Sequence, residues 1–223
     1  MARIIAGRAG GRVIKVPASG TRPTTNRVRQ AVFSQLEARL GGPAAWAGLV
    51  VADLYAGSGA YALEALSRGA ARAVLVESGP AAARVAAANA SALGFGGQVK
   101  VAASTVDRAL AGGFLARAAP FDIVFLDPPW ALAGPRVDLD LARLAGLAGR
   151  DSPGDRGGPG GGRSLLAPGA LVVVERSARD KAPAWPTGWQ GLGGRVHGDA
   201  AVHLAQAPGA GGRPGGSQEV ARN

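Results

Sequence analysis

The chain contains no cysteine, and this absence excludes two kinds of site at once. Without cysteine the protein forms no disulfide and has no cysteine–histidine zinc site. Histidine is almost as scarce, because His197 and His203 are the only two in the sequence. A histidine-based metal site is therefore not expected, and we predict a protein that binds no metal.

Long apolar runs are missing as well. No uninterrupted apolar run is long enough to span a membrane, and residues 1–8 lack the apolar core of a signal peptide. We therefore expect a soluble, cytoplasmic protein with no membrane partner, and a monomer by default. The chain has 223 residues, of which 47% are hydrophobic, so it can form one sizeable domain with a small extension.

Lysine is rare too, with three of the 25 basic residues, although the net charge is +10. A general bias towards arginine would spread these charges evenly, but residues 1–30 hold seven basic residues and no acidic one. Such an acid-free cluster suits the phosphates of a nucleic acid. Its members, with two threonines at the start of the next predicted helix, form the predicted nucleic-acid-binding set: Arg3, Arg8, Arg12, Lys15, Arg22, Thr24, Thr25, Arg27 and Arg29.

Strand-like and helical stretches alternate from residue 49 onwards. The pattern predicts strands at 49–54, 73–77, 99–102, 121–126 and 170–175, with helices between them at 60–68, 80–93, 105–115 and 138–147. Two further strands at 194–197 and 200–204 bring the total to seven. This order is typical of an α/β fold in which helices cover both faces of a mostly parallel sheet.

Three regions are expected along the chain. Residues 1–40 form a basic β-hairpin and helix, which we call the arm. Residues 41–206 form the α/β domain, interrupted by a flexible glycine- and proline-rich loop at 151–164. Residues 207–223 form a disordered tail.

Four residues, Asp127-Pro128-Pro129-Trp130, directly follow a predicted buried strand. The two prolines cannot donate ladder hydrogen bonds, so the strand ends there, at the carboxyl edge where open α/β sheets bind ligands. The Asp127 side chain and the Pro128 carbonyl can each accept an N–H bond, and Trp130 offers a flat face on which a base can stack. An ordinary β-turn that starts at Asp127 explains these four residues equally well.

A glycine turn, Asp-Leu-Tyr-Ala-Gly-Ser-Gly at residues 53–59, follows the first strand of the alternation. Gly57 and Gly59 permit a tight turn and the close approach of a ligand to a helix N-terminus. Glu77 ends the second strand, where a carboxylate can accept both hydroxyls of a ribose. Because Glu77 follows Gly57 by twenty residues, the turn also fits the dinucleotide fingerprint, and an NAD-dependent enzyme is the main alternative.

Asp53 favours a different cofactor. Its charge would repel a pyrophosphate but could hold an ammonium group, and no residue suited to hydride transfer is apparent near the fourth strand. S-adenosyl-L-methionine has an amino acid end, a ribose and an adenine but no phosphate, so it fits better. The predicted cofactor-binding residues of this turn and of the next strand end are Asp53, Tyr55, Ala56, Gly57, Ser58, Gly59 and Glu77.

These motifs, in this order and spacing, resemble class I S-adenosylmethionine-dependent methyltransferases that methylate amines. Further segments are similar to the bacterial 16S ribosomal RNA guanine-N2 methyltransferase family. They are Arg3-Ile-Ile-Ala-Gly, Gly11-Arg12, Arg22-Pro-Thr-Thr-Asn-Arg-Val-Arg29, Leu63-Glu-Ala-Leu-Ser-Arg-Gly69, and Gly198-Asp199 with Ala201-Val-His-Leu204. The likeness covers roughly residues 3–205 apart from the 151–164 loop.

The resemblance implies a Rossmann-like methyltransferase that modifies the exocyclic N2 amine of a guanine in 16S ribosomal RNA, with a small-subunit assembly particle as its partner. It implies that Asp127, Pro128, Pro129 and Trp130 are catalytic, that the basic set binds RNA, and that Ser104 contacts the adenine. This chain departs from the family's usual residues at four positions: Asn26 for Asp, Ala62 for Gly, Trp130 for Tyr or Phe, and Ser104 for Asp.

Several alternatives remain open on the sequence alone. The Asp127-Pro-Pro-aromatic motif is shared with methyltransferases that act on DNA adenine or cytosine or on a protein amine. A non-enzymatic RNA-binding protein would explain the arm without the glycine turn. The NAD-dependent oxidoreductase would explain the turn without the arm.

Overall fold

The computed structural model describes residues 2–17, 25–146 and 164–209. The predicted loop at 151–164 therefore lies outside the described residues except for Ser164. The predicted tail lies outside them from residue 210 onwards. Arg22 and Thr24 of the predicted binding set also fall outside the described part.

Nine strands and five α-helices are formed by the described residues. The strands are β1 Ala2–Arg3, β2 Val13–Ile14, β3 Val50–Leu54, β4 Arg72–Glu77, β5 Val99–Ala103, β6 Phe121–Leu126, β7 Leu166–Ser177, β8 Gln190–His197 and β9 Ala200–Gln206. The helices are α1 Asn26–Leu40, α2 Ala60–Arg68, α3 Pro80–Ala92, α4 Val106–Ala111 and α5 Gly134–Leu144. Within this part of the chain, no helix is long and apolar enough to cross a membrane.

Strands β3 to β9 form one sheet in the order β5-β4-β3-β6-β7-β9-β8. The first five strands of this order pair in parallel, and β9 runs antiparallel to both of its neighbours. This confirms the predicted mostly parallel, seven-stranded α/β fold. The strand order reverses at the centre, between β3 and β6, and such a switch point is where open sheets bind ligands at their carboxyl edge.

Helices cover both faces of the sheet, as predicted. In β3, Val51 packs into the hydrophobic cluster that contains α1, α2 and α3, whereas Val50 and Ala52 pack into the cluster that contains α4 and α5. Successive side chains of a strand point to opposite faces, so a strand buried on both faces needs a continuous apolar run. This requirement is the physical reason that the central strands were visible in the sequence.

Helix α3 ends one residue before its predicted limit, and two other helices differ more. Helix α4 ends at Ala111 instead of residue 115, and Gly112 and Gly113 follow it, the latter with a φ of 73°. Helix α5 begins at Gly134 instead of residue 138, because Pro135 occupies its first turn, where the missing N–H is not needed.

The arm is part of the core. Strands β1 and β2 pair antiparallel, and Ile4 and Ile14 are buried in the same cluster as α1 and α2. The buried carboxylate of Glu64 in α2 accepts N–H bonds from Ile5 at 2.7 Å and Ala6 at 3.1 Å. The hairpin is therefore held to the sheet by a polar anchor as well as by apolar packing.

Candidate active site

The carboxyl ends of four neighbouring strands carry the predicted site residues. In sheet order these strands are β5, β4, β3 and β6. Ser104 directly follows β5, Glu77 is the last residue of β4, the glycine turn begins at the end of β3, and Asp127 directly follows β6. The predicted cofactor-binding and catalytic residues therefore lie along one edge of the sheet, on both sides of the switch point.

Backbone hydrogen bonds fix these strand ends to one another. The Ser104 amide donates to the Glu77 carbonyl at 3.0 Å, and the Ala56 amide of the turn donates to the carbonyl of Val76 at 2.9 Å. On the other side, the Asp127 amide donates to the Leu54 carbonyl at 3.4 Å. Asp127 is thus placed beside Leu54, the second residue of the glycine turn.

The glycine turn adopts backbone conformations that need its glycines. Gly57 and Gly59 have φ values of 54° and 80°, in the left-handed region that favours glycine. A Cβ atom on Gly59 would also lie 2.8 Å from Cδ2 of Leu75. Gly59 is therefore required both for the bend and for the packing of α2 against β4.

Glu77 holds the turn from the neighbouring strand. Its carboxylate accepts N–H bonds from Gly57 at 2.9 Å and from Gly79 at 2.7 Å, through different oxygens. Each carboxylate oxygen has a second acceptor site. Glu77 can therefore accept two further donors, such as the hydroxyls of a ribose, without losing its own bonds.

Asp53 is almost fully buried, with 1% of its surface exposed. Its carboxylate accepts an N–H bond from Ala62 at 3.1 Å, which holds the first turn of α2. Burial raises the pKa of Asp53 from 3.8 to about 8, and the nearby charge of Glu77 adds to this rise. A positive charge placed next to this carboxyl group would lower its pKa and favour the ionised carboxylate.

Tyr55 is placed differently from the other residues of the turn. Its hydroxyl donates to Asp140 of α5 at 2.6 Å, so its side chain is turned to the α4–α5 face of the sheet. Burial raises the pKa of Tyr55, and burial also raises that of Asp140. Tyr55 has a φ of 70°, and it can meet a cofactor through its backbone while its side chain anchors the turn to α5.

The Asp127 loop presents two half-buried side chains, those of Asp127 and Trp130, around a buried Pro128. Pro129 is exposed, and its carbonyl accepts an N–H bond from Leu132 at 2.8 Å, which closes the loop. Trp130 packs against the cluster formed with α1 and α2. The loop is therefore supported on both sides, which suits a site that must hold a flat ligand in place.

A buried tyrosine lies behind the loop and was not predicted. The Tyr61 hydroxyl donates to Glu175 at 2.8 Å. Burial raises the pKa of Tyr61 well above its usual range, and the charges of Glu175 and Asp127 add to this effect. No sequence motif marks this contact, because Tyr61 and Glu175 are 114 residues apart.

A cavity of about 540 Å³ opens beside Trp130. Its wall is formed by residues within 130–138, by Arg176 near the end of β7, and by the segment after β7, including Lys181 and Pro183. Arg176 is buried, donates to the Leu132 carbonyl at 2.6 Å and forms an ion pair with Asp180 at 2.8 Å. The volume lies within the range of about 300–1,000 Å³ that is usual for small-ligand sites.

The predicted binding set is divided by the structure. Arg3, Arg8, Arg12, Lys15, Arg27 and Thr25 are exposed. The Thr25 hydroxyl also accepts from the Val28 amide at 3.2 Å and caps the start of α1. Arg29 corrects the prediction, since its exposed fraction is 0% and it cannot meet a phosphate at the surface in this conformation.

Arg29 has a structural position instead. It donates to the carbonyl of Arg3 and to Asn26, at 3.0 Å for the latter, and lies 3.9 Å from Glu64. Burial lowers its pKa, although the charge of Glu64 opposes the effect. The sequence could not separate Arg29 from the exposed arginines, because two of its partners, Arg3 and Glu64, come from the hairpin and from α2.

Comparison with known proteins places this geometry in a family. A model of the family described as Conserved hypothetical protein 95 matches residues 2–144. Ribosomal RNA small subunit methyltransferase D of Escherichia coli (strain K12) is 33% identical over 211 residues, which are 92% of this chain and 89% of the relative.

Solved structures agree with this placement. The structure of yhhF from Escherichia coli is 32% identical and has a TM-score of 0.69, covering 94% of this chain and 99% of that one. An RNA methyltransferase from Salinibacter ruber, solved with S-adenosyl-L-homocysteine, shares the fold at 17% identity, with a TM-score of 0.54 and coverage of 91% and 98%. These matches decide against the NAD-dependent enzyme that the glycine turn alone left open. The chain therefore belongs to the Conserved hypothetical protein 95 family and, with its Escherichia coli relative, to the class I S-adenosylmethionine-dependent methyltransferases.

Proposed function

We propose that this protein methylates the exocyclic N2 amine of a guanine in small-subunit ribosomal RNA, with S-adenosyl-L-methionine as the methyl donor. The observation that carries the proposal is the position of Asp127, whose backbone is bonded to the last residue of β3 directly beside the glycine turn. The carboxylate that would accept an N–H bond from the target amine and the glycine turn that would bind the cofactor are thus neighbours on one edge of the sheet.

The residues present fit the cofactor. Glu77 retains acceptor sites for ribose hydroxyls, and the glycine turn has no side chain to block an approach at Gly57. Asp53 supplies a carboxyl group that ionises when a cation approaches, and Ser104 stands at the end of β5 for an adenine edge. When bound, S-adenosyl-L-methionine supplies an electrophilic methyl group.

The Asp127 loop prepares the amine. The lone pair of a guanine N2 is delocalised into the ring, so the amine is a poor nucleophile until its geometry changes. The Asp127 carboxylate and the Pro128 carbonyl would accept its two N–H bonds and favour a pyramidal nitrogen. Holding the reacting nitrogen in this orientation supplies much of the acceleration. Asp127 would then accept the proton that the nitrogen loses.

Trp130 offers the target base a stacking surface. A base in a folded RNA must leave its stack to reach an active site of this kind. Stacking on an aromatic side chain returns about 1–3 kcal/mol per base. The cavity beside Trp130 provides space next to that surface.

Ribosomal RNA is proposed as the substrate for two reasons. The Escherichia coli relative is named a ribosomal RNA small subunit methyltransferase, and the exposed basic residues of the arm suit phosphates. We propose a small-subunit particle as the partner, because such a particle holds the target strand in a fixed shape. The protein acts in the cytoplasm as a monomer in this proposal.

The test is methylation in vitro with a chemical readout. Small-subunit RNA, free and in particles, is taken from a bacterium that lacks the relative and is incubated with the protein and labelled S-adenosyl-L-methionine. Mass spectrometry of the nucleosides is expected to show N2-methylguanosine. A methyl group on another atom overturns the N2 assignment. Duplex DNA is incubated in parallel, and label found in the DNA but not in the RNA overturns the RNA proposal. Comparison of free RNA with particles identifies the substrate form.

A further inference from the structure

The sequence has two long stretches without acidic residues, and the fold brings them together. Residues 1–36 and 78–106 each contain no aspartate or glutamate. The first stretch includes the hairpin, and the second includes α3. A surface built from both carries one sign of charge, although the stretches are far apart in the chain.

Three basic residues of the hairpin lie in order along α3 and the turn after it. The Lys15 backbone is bonded to the side chain of Asn89 at 2.9 Å in both directions. The Arg12 guanidinium donates to the Ala92 carbonyl, and Arg8 lies 4.4 Å from the centroid of the Phe95 ring. The three side chains remain exposed while α3 sets their spacing.

Arg84 extends this row within α3. It is exposed, and its side chain makes no hydrogen bond or ion pair with other residues in the described part of the chain. Arg84, Ala88 and Ser91 are exposed and fall on one face of the helix at steps of four and three residues. That face leads from Arg84 to Ala92, where Arg12 is attached, over about 12 Å at 1.5 Å per residue.

The row crosses the molecule from the site edge to the opposite edge. Helix α3 leaves the carboxyl end of β4, close to Glu77, and leads to the amino end of β5. Arg84 is therefore near the edge that carries the active site, and Arg8 is near the far edge. Glu64 of α2, which accepts hydrogen bonds from the hairpin, is buried and paired with Arg68 at 2.8 Å, so it does not neutralise the row.

We propose that Arg84, Lys15, Arg12 and Arg8 form a phosphate-binding stripe along α3 that holds the RNA backbone from the entry of the target base to the opposite edge of the sheet. This inference rests on the proposed function and makes it more specific. The substrate is an extended RNA element whose backbone follows α3, and the hairpin holds its basic side chains in fixed positions along that helix.

The test measures how RNA affinity depends on salt. The logarithm of the association constant falls linearly with the logarithm of salt concentration, by about 0.7–0.9 for each phosphate contact. Binding of small-subunit ribosomal RNA is measured over a salt series for the unchanged protein, Arg84→Gln, and the double variant Arg8→Gln with Arg12→Gln. Each removed charge is expected to reduce the slope by about 0.7–0.9.

A matched control uses Arg108→Gln with Arg117→Gln, two exposed arginines outside the acid-free stretches. These changes are expected to leave the slope unchanged. Arg84→Gln is the decisive variant, because the Arg84 side chain makes no hydrogen bond or ion pair with the described residues, so its replacement should not disturb their packing. An unchanged slope for Arg84→Gln, or an equal loss in the control pair, overturns the stripe. If the stripe is overturned in this way but the unchanged protein still methylates the same RNA in the methylation assay, the proposed function stands without the stripe.

Discussion

The side chain of Asn89 pairs with the backbone of Lys15 in both directions: its oxygen accepts the Lys15 amide at 2.9 Å, and its nitrogen donates to the Lys15 carbonyl at 2.9 Å. The same nitrogen donates to the Ser58 carbonyl in the glycine turn at 3.0 Å. One buried amide thus joins the arm to the candidate cofactor site. Displacement of the hairpin would break the two bonds to Asn89, the same side chain that holds the turn through Ser58.

Replacing Asn89→Ala is expected to lower both stability and cofactor affinity. Loss of three partly buried hydrogen bonds should reduce the free energy of unfolding by about 2–3 kcal/mol. Denaturant unfolding gives the first quantity, and calorimetric titration with S-adenosyl-L-methionine gives the second. Ser91→Ala, on the exposed face of the same helix, should change stability by less than about 0.5 kcal/mol. Unaltered cofactor binding in a destabilised Asn89→Ala protein would mean that the bond to Ser58 has no part in forming the site.

Replacing Asp127→Asn is expected to separate catalysis from binding. The amide keeps the shape of the side chain but cannot accept a proton, so the rate of methylation should fall by about 10²–10⁴-fold. RNA affinity and its salt dependence should be unchanged, because the basic residues are untouched. Single-turnover methylation and RNA binding are measured on the same preparation. Full activity in this variant would rule out Asp127 as the proton acceptor, and a non-enzymatic RNA-binding role predicts no consequence at all.

Replacing Trp130→Ala is expected to weaken the productive binding of RNA. Loss of one base–aromatic stack costs about 1–3 kcal/mol, which corresponds to roughly 5- to 150-fold in KM for RNA. Trp130→Phe keeps a stacking face and should recover most of this loss. Because Trp130 also packs against the core, unfolding curves of both variants are needed as a control. Equal KM values for all three proteins would show that the base does not stack here.

The raised pKa of Asp53 predicts a pH dependence of stability with a definite sign. The pKa is about 8 in the folded protein against an ordinary value of 3.8, so the folded state binds the proton more tightly than the unfolded state. The contribution of protonated Asp53 to the free energy of unfolding is therefore fully present below the unfolded-state pKa of 3.8. It is lost as pH rises through the folded-state pKa of about 8. Urea unfolding at pH 5 and pH 9 should show this loss, and Asp53→Asn should abolish most of it.

The same group predicts proton release on cofactor binding. Near pH 7 the Asp53 carboxyl is mostly protonated in the free protein, and a cationic ammonium beside it would favour the ionised form. Calorimetric titrations with S-adenosyl-L-methionine in two buffers of different ionisation enthalpy should therefore give different heats. For Asp53→Asn the difference between buffers should become smaller. If the difference is the same in both proteins, the ammonium group is held elsewhere.

The sheet could be predicted from the sequence because it depends on local patterns. The runs at 50–54 and 121–126 are apolar except for Asp53 and Asp122, as is typical of strands buried on both faces. The glycine turn and Asp127 were found for a related reason: each directly follows such a strand. Parallel neighbours then bring these strand ends to one edge, whatever the sequence distance between them.

The polar contacts that support the site could not be predicted in this way. Asn89 and Lys15 are 74 residues apart, and Glu64 and Ile5 are 59 residues apart. Nothing in a helix pattern distinguishes a buried amide or carboxylate with a distant partner from an exposed one. The misassignment of Arg29 has the same origin, since a charge count treats every arginine alike. Its burial depends on a carbonyl of the hairpin that docks only in the folded protein.

Because Glu64 anchors the hairpin, the hairpin is not an independent module that can be removed without affecting the rest of the fold. A boundary at residue 40 looks natural in the sequence, and deleting the hairpin would look like a simple way to remove RNA binding. Such a deletion would take away the Ile5 and Ala6 amides and leave a buried carboxylate with Arg68 and Arg29 as its partners. Losing two hydrogen bonds to a buried charged group typically costs about 3–6 kcal/mol. The truncated enzyme would be expected to fail as a folded protein before its loss of RNA could be measured, so the hairpin cannot be exchanged or transplanted as a separate part.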